Sequence, residues 1–174
     1  CGGRPWVVVR SSGPPSALRG ARSIGLLIDA TYTTVNGAAL LALPPDDQAE
    51  VVGLLQEIAD GMLAALTYRV AVPVVPASAE SPPGEVRLAV RVFEIRPGWH
   101  GPIGAQSEVY VRLEWMVDGV PTDTIDASAW TPAPRSMMGA LRSTGTWSVE
   151  GRMVLIAEVL GRVAAEFFVA EQSR

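Results

Sequence analysis

The chain has 174 residues, of which 48% are hydrophobic, so it can bury one sizeable core and is too short for two domains to be expected. Its formal net charge of −4 at pH 7 gives no overall attraction to phosphate groups, and nucleic-acid binding is therefore not expected. No stretch reaches the roughly 18 consecutive apolar residues that a membrane-spanning helix requires.

The sequence contains none of the short motifs that mark common enzyme classes. There is no GxSxG nucleophile elbow, P-loop, GxGxxG fingerprint, HExxH zinc motif or CxxC pair. A single cysteine and a single histidine cannot form a His/Cys metal site, and His100 has neither a nucleophile nor an orienting acid near it in sequence. We therefore expect a protein that is not an enzyme and that uses no metal or dissociable cofactor.

Cys1 is the only cysteine, and two glycines follow it. Because its sulfur has no disulfide partner within the chain, an unmodified thiol would be exposed to oxidation in an oxidising compartment. The start Cys-Gly-Gly-Arg-Pro resembles mature bacterial lipoproteins, in which signal-peptide cleavage leaves a cysteine that carries diacylglycerol on its sulfur and an acyl chain, commonly palmitate, on its amine. Residue 2 is not the aspartate that retains many such proteins in the inner membrane, so the resemblance implies an outer-membrane anchor.

Cys1 also allows a second interpretation, an N-terminal-nucleophile hydrolase in which the thiol attacks and its own amine acts as base. Class II amidotransferases start with Cys-Gly, but they continue directly into an apolar strand. Here Gly-Gly-Arg-Pro intervenes. A third interpretation is that the chain begins at an arbitrary residue.

Residues 11–20 have the Ser, Gly and Pro content of a linker. We interpret residues 1–21 as a lipidated tether and linker, and residues 22–174 as a single periplasmic α/β domain. A first strand is predicted at about 23–32, before a turn at Asn36-Gly37.

Pro44-Pro45-Asp46-Asp47 predicts the start of a helix that runs to about residue 66. Asp47 and Glu50 have the spacing of a capping box at its start. Apolar residues then recur at intervals of four and three, which predicts one buried stripe. The stripe consists of Val51, Leu55, Ile58, Met62 and Ala65.

Residues 68–75 predict an edge strand, because Pro73 lacks an N–H to donate. Three strands at about 85–96, 107–117 and 120–130 predict a meander. For its last hairpin we expect a three-residue loop, 117–119, that places Met116 opposite Val120 and Val111 opposite Ile125. A two-residue turn would instead place Leu113 opposite Thr124, which sets an apolar side chain against a polar one.

A final helix is predicted at about 147–169. Its inner stripe comprises Val149, Met153, Ile156, Leu160, Val163 and Phe167. Ala157, Gly161 and Ala165 form a ridge of small residues that lets another element approach closely, most simply the sheet or the first helix. The order β-α-β-β-β-β-α predicts an α+β fold, a two-layer sandwich with a mostly antiparallel sheet of about five strands and two helices on one face.

The outer face of the meander is the candidate interaction site, because arginine and aromatic side chains interleave there, as they do in protein interfaces. Two helices can cover only one side of the sheet, so we expect this face either to be covered by the segment Trp6 to Val9, to bind a partner, or to be simply a solvated sheet face. Trp99, in the loop before the second meander strand, either packs back on the sheet or is offered to a partner. The candidate residues are Arg91, Phe93, Trp99, Tyr110, Arg112 and Trp130.

A lipidated cysteine, a linker and a small α/β sandwich together are similar to small periplasmic accessory lipoproteins such as LptE, LpoB and PqiC. The resemblance implies a non-catalytic accessory or structural subunit of a cell-envelope complex. Its partners would be the membrane, through the lipid, and other envelope proteins or further copies of this chain. The alternatives are a carrier of a small ligand or lipid, with a pocket between helices and sheet, and the Cys1 hydrolase.

Overall fold

A computed structural model describes residues 6–10, 18–77, 85–98, 106–131 and 148–173, with the backbone alone for 6–10. The described strands are β1 (Trp6–Arg10), β2 (Ser23–Asp29), β3 (Thr34–Val35), β4 (Ala38–Ala39), β5 (Val74–Pro76), β6 (Glu85–Arg96), β7 (Ser107–Val117) and β8 (Val120–Thr131). The described helices are α1 (Pro45–Arg69) and α2 (Val149–Gln172), and a short 3-10 turn covers Leu40–Ala42.

The chain has the predicted α+β class, with both helices packed on one sheet, but that sheet is larger and more mixed than expected. Eight strands join it in the order β1-β8-β7-β6-β2-β5, and the β3–β4 hairpin attaches to β6. The strands β1, β8, β7 and β6 pair antiparallel, whereas β2 is parallel to both β5 and β6. The expectation of about five mostly antiparallel strands is therefore wrong in number and only partly right in direction.

The strands that the sequence did not predict are short. Asn36 and Gly37 form the predicted turn, both with positive φ (+50° and +83°), and this type I′ turn joins the two-residue strands β3 and β4. At the far edge, β1 pairs with β8. The stretch 1–21, interpreted as tether and linker, thus contributes β1 and also the buried side chain of Leu18.

Helix α1 begins at Pro45, within the predicted start, and ends at Arg69, three residues later than predicted, but the proposed capping box is absent. Pro45 occupies the first helical position, where its missing N–H costs nothing, and no side chain caps the helix. Asp46 and Asp47 lie in the first turn, where the positive end of the helix dipole stabilises their negative charge. The predicted apolar stripe is buried throughout, as expected.

Helix α2 starts at a true cap, because the Ser148 hydroxyl accepts a hydrogen bond from the Gly151 N–H at 3.0 Å. The first half of the predicted stripe is fully buried. In the second half, Phe168 is buried in the position expected for Phe167, which is only half-buried. The buried side of α2 is wide because it contacts both the sheet and α1.

The small-residue ridge of α2 packs against α1, which confirms the simpler interpretation of that ridge. A Cβ atom built on Gly61 would lie 2.7 Å from the Ala157 Cβ, and one built on Gly161 would lie 2.7 Å from the Ala65 Cβ. Real Cβ atoms do not approach so closely. The backbones of the two helices therefore approach closely at these glycines.

The hairpin between β7 and β8 corrects our predicted loop. Asp118 and Gly119 both have positive φ, +50° and +77°, so a two-residue type I′ turn places Val117 opposite Val120. Thr122 is the extra residue of a bulge in β8, and this bulge restores the pairing of apolar with apolar side chains. The Thr122 hydroxyl donates a hydrogen bond to the Trp115 carbonyl at 3.2 Å.

Beyond this bulge, every pair is displaced by two residues from our prediction. Val111 is opposite Ala127 instead of Ile125, and Leu113 is opposite Ile125. A displacement of two residues keeps each side chain on its predicted face, because the side-chain period of a strand is two.

The core lies between the sheet and the helices. Trp115 is its largest fully buried side chain, and the ring stacks on Phe168 and Phe167 with centroid distances of 5.4 and 6.4 Å. Neither α1 nor α2 is long and apolar enough to cross a membrane.

Candidate interaction surface on the outer sheet face

The sheet face opposite the helices carries the candidate residues. Along β7, Val109, Val111, Leu113 and Trp115 are buried toward the helices, so the alternating positions lie on the other side. We call that side the outer sheet face. Among the residues with described side chains, its charged and aromatic members are Asp29, Glu85, Arg87, Arg91, Phe93, Glu94, Arg96, Glu108, Tyr110, Arg112, Glu114, Asp126 and Trp130.

The structure brings together five of the six residues chosen from the sequence. Arg91, Phe93, Tyr110, Arg112 and Trp130 all lie on the outer sheet face. Trp99 lies outside the described residues, as do His100 and Cys1.

Phe93 is exposed because β6 bulges there. The pairing of β6 with β7 shifts between Val92 and Glu94, which leaves Phe93 as the extra residue, and its side chain is 38% exposed. Two threonines at the start of the β3–β4 hairpin form hydrogen bonds with the bulge. The Thr33 hydroxyl donates to the Val92 carbonyl at 2.7 Å, and the Thr34 hydroxyl donates to the Phe93 carbonyl at 3.1 Å.

Arg112 is fixed between a carboxylate and an aromatic ring. Its Nε and Nη2 donate to the two Asp126 oxygens at 2.6 and 3.1 Å, a bidentate pair across β7 and β8. The guanidinium carbon lies 5.6 Å from the centre of the Phe93 ring, within cation–π range. The hydrogen bond to Asp126 raises the pKa of Arg112 above its ordinary value.

Arg96 forms a second unit of the same kind. Its Nη2 and Nε contact the Glu94 carboxylate at 2.9 and 3.0 Å, its Nη1 contacts Glu108 at 3.3 Å, and its guanidinium carbon lies 5.3 Å from the Tyr110 ring centre. The hydrogen bond to Glu94 raises the pKa of Arg96. A hydrogen bond to Glu108 is the largest cause of the raised pKa of Tyr110, so this phenol stays protonated at neutral pH.

Arg91 connects β2, β6 and β7. Its Nε is 3.0 Å from Glu114 Oε2, without the alignment of a hydrogen bond, and 3.9 Å from Asp29 Oδ2. The pKa of Asp29 is lowered, mainly because the Thr31 hydroxyl donates to its carboxylate at 2.7 Å. Arg91 thus lies between two carboxylates of neighbouring strands.

Glu85 has an unusual position beside a glycine. Its side chain is buried and lies 3.5 Å from Arg87 Nε. A Cβ atom on Gly25 of the neighbouring strand would lie 2.8 Å from Glu85 Oε1, so a larger residue at position 25 would require this carboxylate to move.

Among the described side chains, the outer sheet face therefore has four arginines beside six carboxylates. It carries no excess positive charge with which to hold a phosphate or another anion. Within the described parts of the chain, no three His, Cys, Asp or Glu side chains are placed to hold a metal ion. Ordered guanidinium groups beside aromatic rings are suited to contact with another protein surface.

The sequence prediction missed the carboxylates of this face. Glu114 is not among the residues chosen from the sequence, and the predicted register hid Asp126, because it sets Arg112 opposite Thr124. The usable signal was charge alternation, because Arg112 and Glu114 share one face of β7.

A separate cleft of about 320 Å³ opens between α1 and the edge of β2. It is mainly apolar, and at its rim the Gln56 amide donates to Asp60 Oδ1 at 2.9 Å. Its apolar lining includes Leu26, Ile28, Val52, Leu55, Ala59 and Leu63.

No family model matches the chain, and no curated protein matches it. Among solved structures it is similar to the PelC dodecamer from Paraburkholderia phytofirmans, with 19% identity over 90% of this chain and 97% of that chain and a TM-score of 0.48. A single-residue variant of that PelC dodecamer gives 19% identity over 91% and 96% of the two chains and a TM-score of 0.43. A Xanthomonas campestris protein of the DUF330 family model gives 12% identity over 95% of each chain and a TM-score of 0.41. At these identities the likeness concerns the arrangement of helices and strands alone.

Proposed function

We propose that the chain is a lipid-anchored cell-envelope protein that acts without catalysis, by binding another protein of the envelope through the outer sheet face. The observation that carries this proposal is the pair of arginine–aromatic units, Arg112 with Phe93 and Arg96 with Tyr110. Arginine and aromatic side chains are the residue types that dominate binding energy at protein interfaces.

The ion pairs favour binding by ordering these side chains in advance. Immobilising a flexible side chain on association costs about 0.5–1.5 kcal/mol. Arg96 and Arg112 are already held by carboxylates, so much of that cost is met within the fold. Each guanidinium has five N–H donors, and those outside the ion pairs remain for a partner.

The anchor in this proposal is a diacylglycerol and an acyl chain on Cys1, which would place the protein at the outer membrane. Two or three acyl chains hold a protein stably at a bilayer, whereas one does not. Since β1 begins at Trp6, the five residues before it span at most about 18 Å even when fully extended. The sheet edge at β1 would therefore stay close to the lipid surface.

Lipidation is tested by the intact mass of the protein purified from membranes. We expect a gain of several hundred daltons on Cys1 and a blocked amine, and we expect Cys1→Ser to move the protein to the soluble fraction. An unmodified Cys1 in the membrane-purified protein would contradict the anchor. A free amine together with a reactive thiol would favour the hydrolase interpretation instead.

The binding face is tested by Tyr110→Ala and Phe93→Ala. We expect each to weaken association with the envelope partner by about tenfold, the effect of a loss of roughly 1–2 kcal/mol at an interface hot spot. The measurement is quantitative co-purification from membranes in mild detergent, with melting temperature recorded in parallel.

Tyr68→Ala is the matched control, because Tyr68 also lies under an arginine (5.6 Å from Arg69) but on α1, and it is 86% exposed. We expect it to leave association unchanged. If Tyr68→Ala weakens association equally, or if the two outer-face variants unfold, the outer sheet face is not the interface.

The cleft beside α1 supports a second candidate, a carrier of a small apolar ligand. Its volume lies at the lower end of the roughly 300–1,000 Å³ typical of ligand pockets. Native mass spectrometry of the Cys1→Ser protein, which lacks the anchor, distinguishes this function by a bound lipid.

A further inference from the structure

The two edges of the sheet are protected very differently. At one edge, β5 has three residues, follows Pro73 and ends at Pro76, and proline has no N–H for another strand. At the other edge, β1 has five residues, Trp-Val-Val-Val-Arg, without proline, glycine or lysine. Among the described residues, no strand pairs with the outer edge of β1.

The composition of β1 favours strand pairing. Valine and tryptophan have high strand propensity, and natural sheets usually interrupt such edges with charge, proline or a bulge. None of these devices occurs between Trp6 and Val9. An edge of this kind is a template for a further strand.

We propose that β1 pairs antiparallel with β1 of a second copy of the chain, about a twofold axis at Val8. This proposal is independent of the lipid anchor and of the outer sheet face. It joins the two sheets into one continuous sheet through their least protected edges.

The choice of a second copy follows from the self-complementarity of β1. Along a strand, successive residues direct their backbone N–H and C=O groups to opposite edges. Two residues that face each other across an antiparallel pair must both direct these groups toward the shared edge, or both away from it. When a strand pairs with a copy of itself, the twofold axis must therefore pass through a residue and not between two residues. Centring on Val8 pairs all five residues of β1. It places Val7 opposite Val9 and Trp6 opposite Arg10, and aromatic–arginine pairs are favourable.

The neighbouring registers are poorer. Centring on Val7 pairs only residues 6–8 of the strand and leaves Val9 and Arg10 without partners within β1. Centring on Val9 leaves Trp6 and Val7 without partners within β1. The register on Val8 is therefore the best match that this strand can make with itself.

The assembly closes at two copies. A twofold contact uses the same edge of both molecules, and the remaining described edges are the proline-flanked β5 strands and the two-residue β4 strands. A contact of five residue pairs falls below the roughly 1,000 Å² of a stable interface, so we expect a dissociation constant in the micromolar range.

The first test is sedimentation velocity of the full chain carrying Cys1→Ser, over about 1–500 μM, a range that brackets the micromolar affinity expected of so small a contact. We expect a concentration-dependent shift from 18.4 kDa to twice that mass. Val8→Lys is expected to raise the dissociation constant at least tenfold, because it places two lysines opposite each other on the axis. Its melting temperature should not fall, since the intramolecular partner of Val8 is Asp126.

The second test locates the contact. Val8→Cys in the Cys1→Ser chain should form a disulfide-linked dimer on mild oxidation, since residues directly opposite in antiparallel strands have Cα atoms about 4.5–5.5 Å apart, within disulfide range. Val120→Cys is the control, because Val120 is 62% exposed but lies on the β7–β8 hairpin, and we expect no such dimer. The proposal is overturned if the chain is monomeric throughout, if Val8→Lys dimerises like the unmodified strand, or if Val120→Cys crosslinks as readily as Val8→Cys.

Discussion

Trp115→Ala is expected to lower the free energy of unfolding by about 3–5 kcal/mol, the usual cost of truncating a buried tryptophan. The indole is fully buried in the middle of β7 and stacks on Phe168 at 5.4 Å and on Phe167 at 6.4 Å. Its removal leaves a cavity where the C-terminal half of α2 rests on the sheet. The indole N–H has no hydrogen-bond acceptor among the described residues, so alanine leaves no acceptor unpaired there.

The measurement is the urea midpoint at unchanged slope, because an unchanged slope shows that stability and not compactness has changed. Trp115→Phe should cost less than Trp115→Ala, since it keeps a stacking ring. Phe93→Ala is the control, an aromatic truncation on the outer sheet face where the residue is already 38% exposed, and it should cost less, about 1–2 kcal/mol. Equal midpoints for Trp115→Ala and Phe93→Ala would show that the Trp115 stack does not anchor α2.

The faces of the long strands could be predicted from the sequence, because their period of two places alternate residues on opposite sides. This is why Tyr110 and Arg112 were correctly assigned to the outer sheet face. Register is a different quantity. The rule that apolar residues must oppose apolar residues fixes the register only to within two residues. The predicted loop at 117–119 and the observed bulge at Thr122 both satisfy that rule.

The two-residue displacement concealed the chemistry of the candidate site. In the predicted register Arg112 faced Thr124, whereas in the structure it faces Asp126 and binds it with two hydrogen bonds. Arg112 could be chosen from the sequence, but its partner depends on the exact register of β7 with β8. The hydrophobic pattern does not determine that register.

Long-range pairing explains the other differences. The strand β1 pairs with β8, more than a hundred residues later, and nothing local in Trp-Val-Val-Val-Arg indicates that partner. The strands β3 and β4 have two residues each, too few to show a period. The parallel pairing of β2 with β6 likewise depends on the path of the chain after α1 and β5.

Gly161→Ala is expected to destabilise the fold, whereas Gly53→Ala is expected to stabilise it, although both are glycine-to-alanine changes inside long helices. At Gly53 a new Cβ meets nothing within 4 Å. There alanine should add about 0.4–1 kcal/mol, through helix propensity and a less flexible unfolded chain. Both glycines gain the same propensity, so the sign of each result is decided by the space around it.

At Gly161 the space is filled by backbone. A Cβ there would lie 2.7 Å from the Ala65 Cβ, 3.1 Å from the Met62 carbonyl oxygen and 3.2 Å from the Met62 Cα. No rotamer change relieves such contacts, so α1 and α2 have to separate, and overpacking of this kind costs about 1–3 kcal/mol. For a chain of this length each 1 kcal/mol shifts the melting temperature by about 2–4 °C, so the two variants should melt on opposite sides of the wild type.

A double-mutant cycle with Ala65→Gly separates close packing from a general loss of helix stability. Ala65→Gly alone should cost about 1 kcal/mol in helix propensity. Combined with Gly161→Ala it removes the nearest clash, so the double variant should be more stable than the sum of the single effects predicts, by 0.5 kcal/mol or more. If the free-energy effects of the two substitutions are strictly additive, α1 and α2 do not contact each other at Ala65 and Gly161. That result would refute the close helix contact that positions α2 over the sheet.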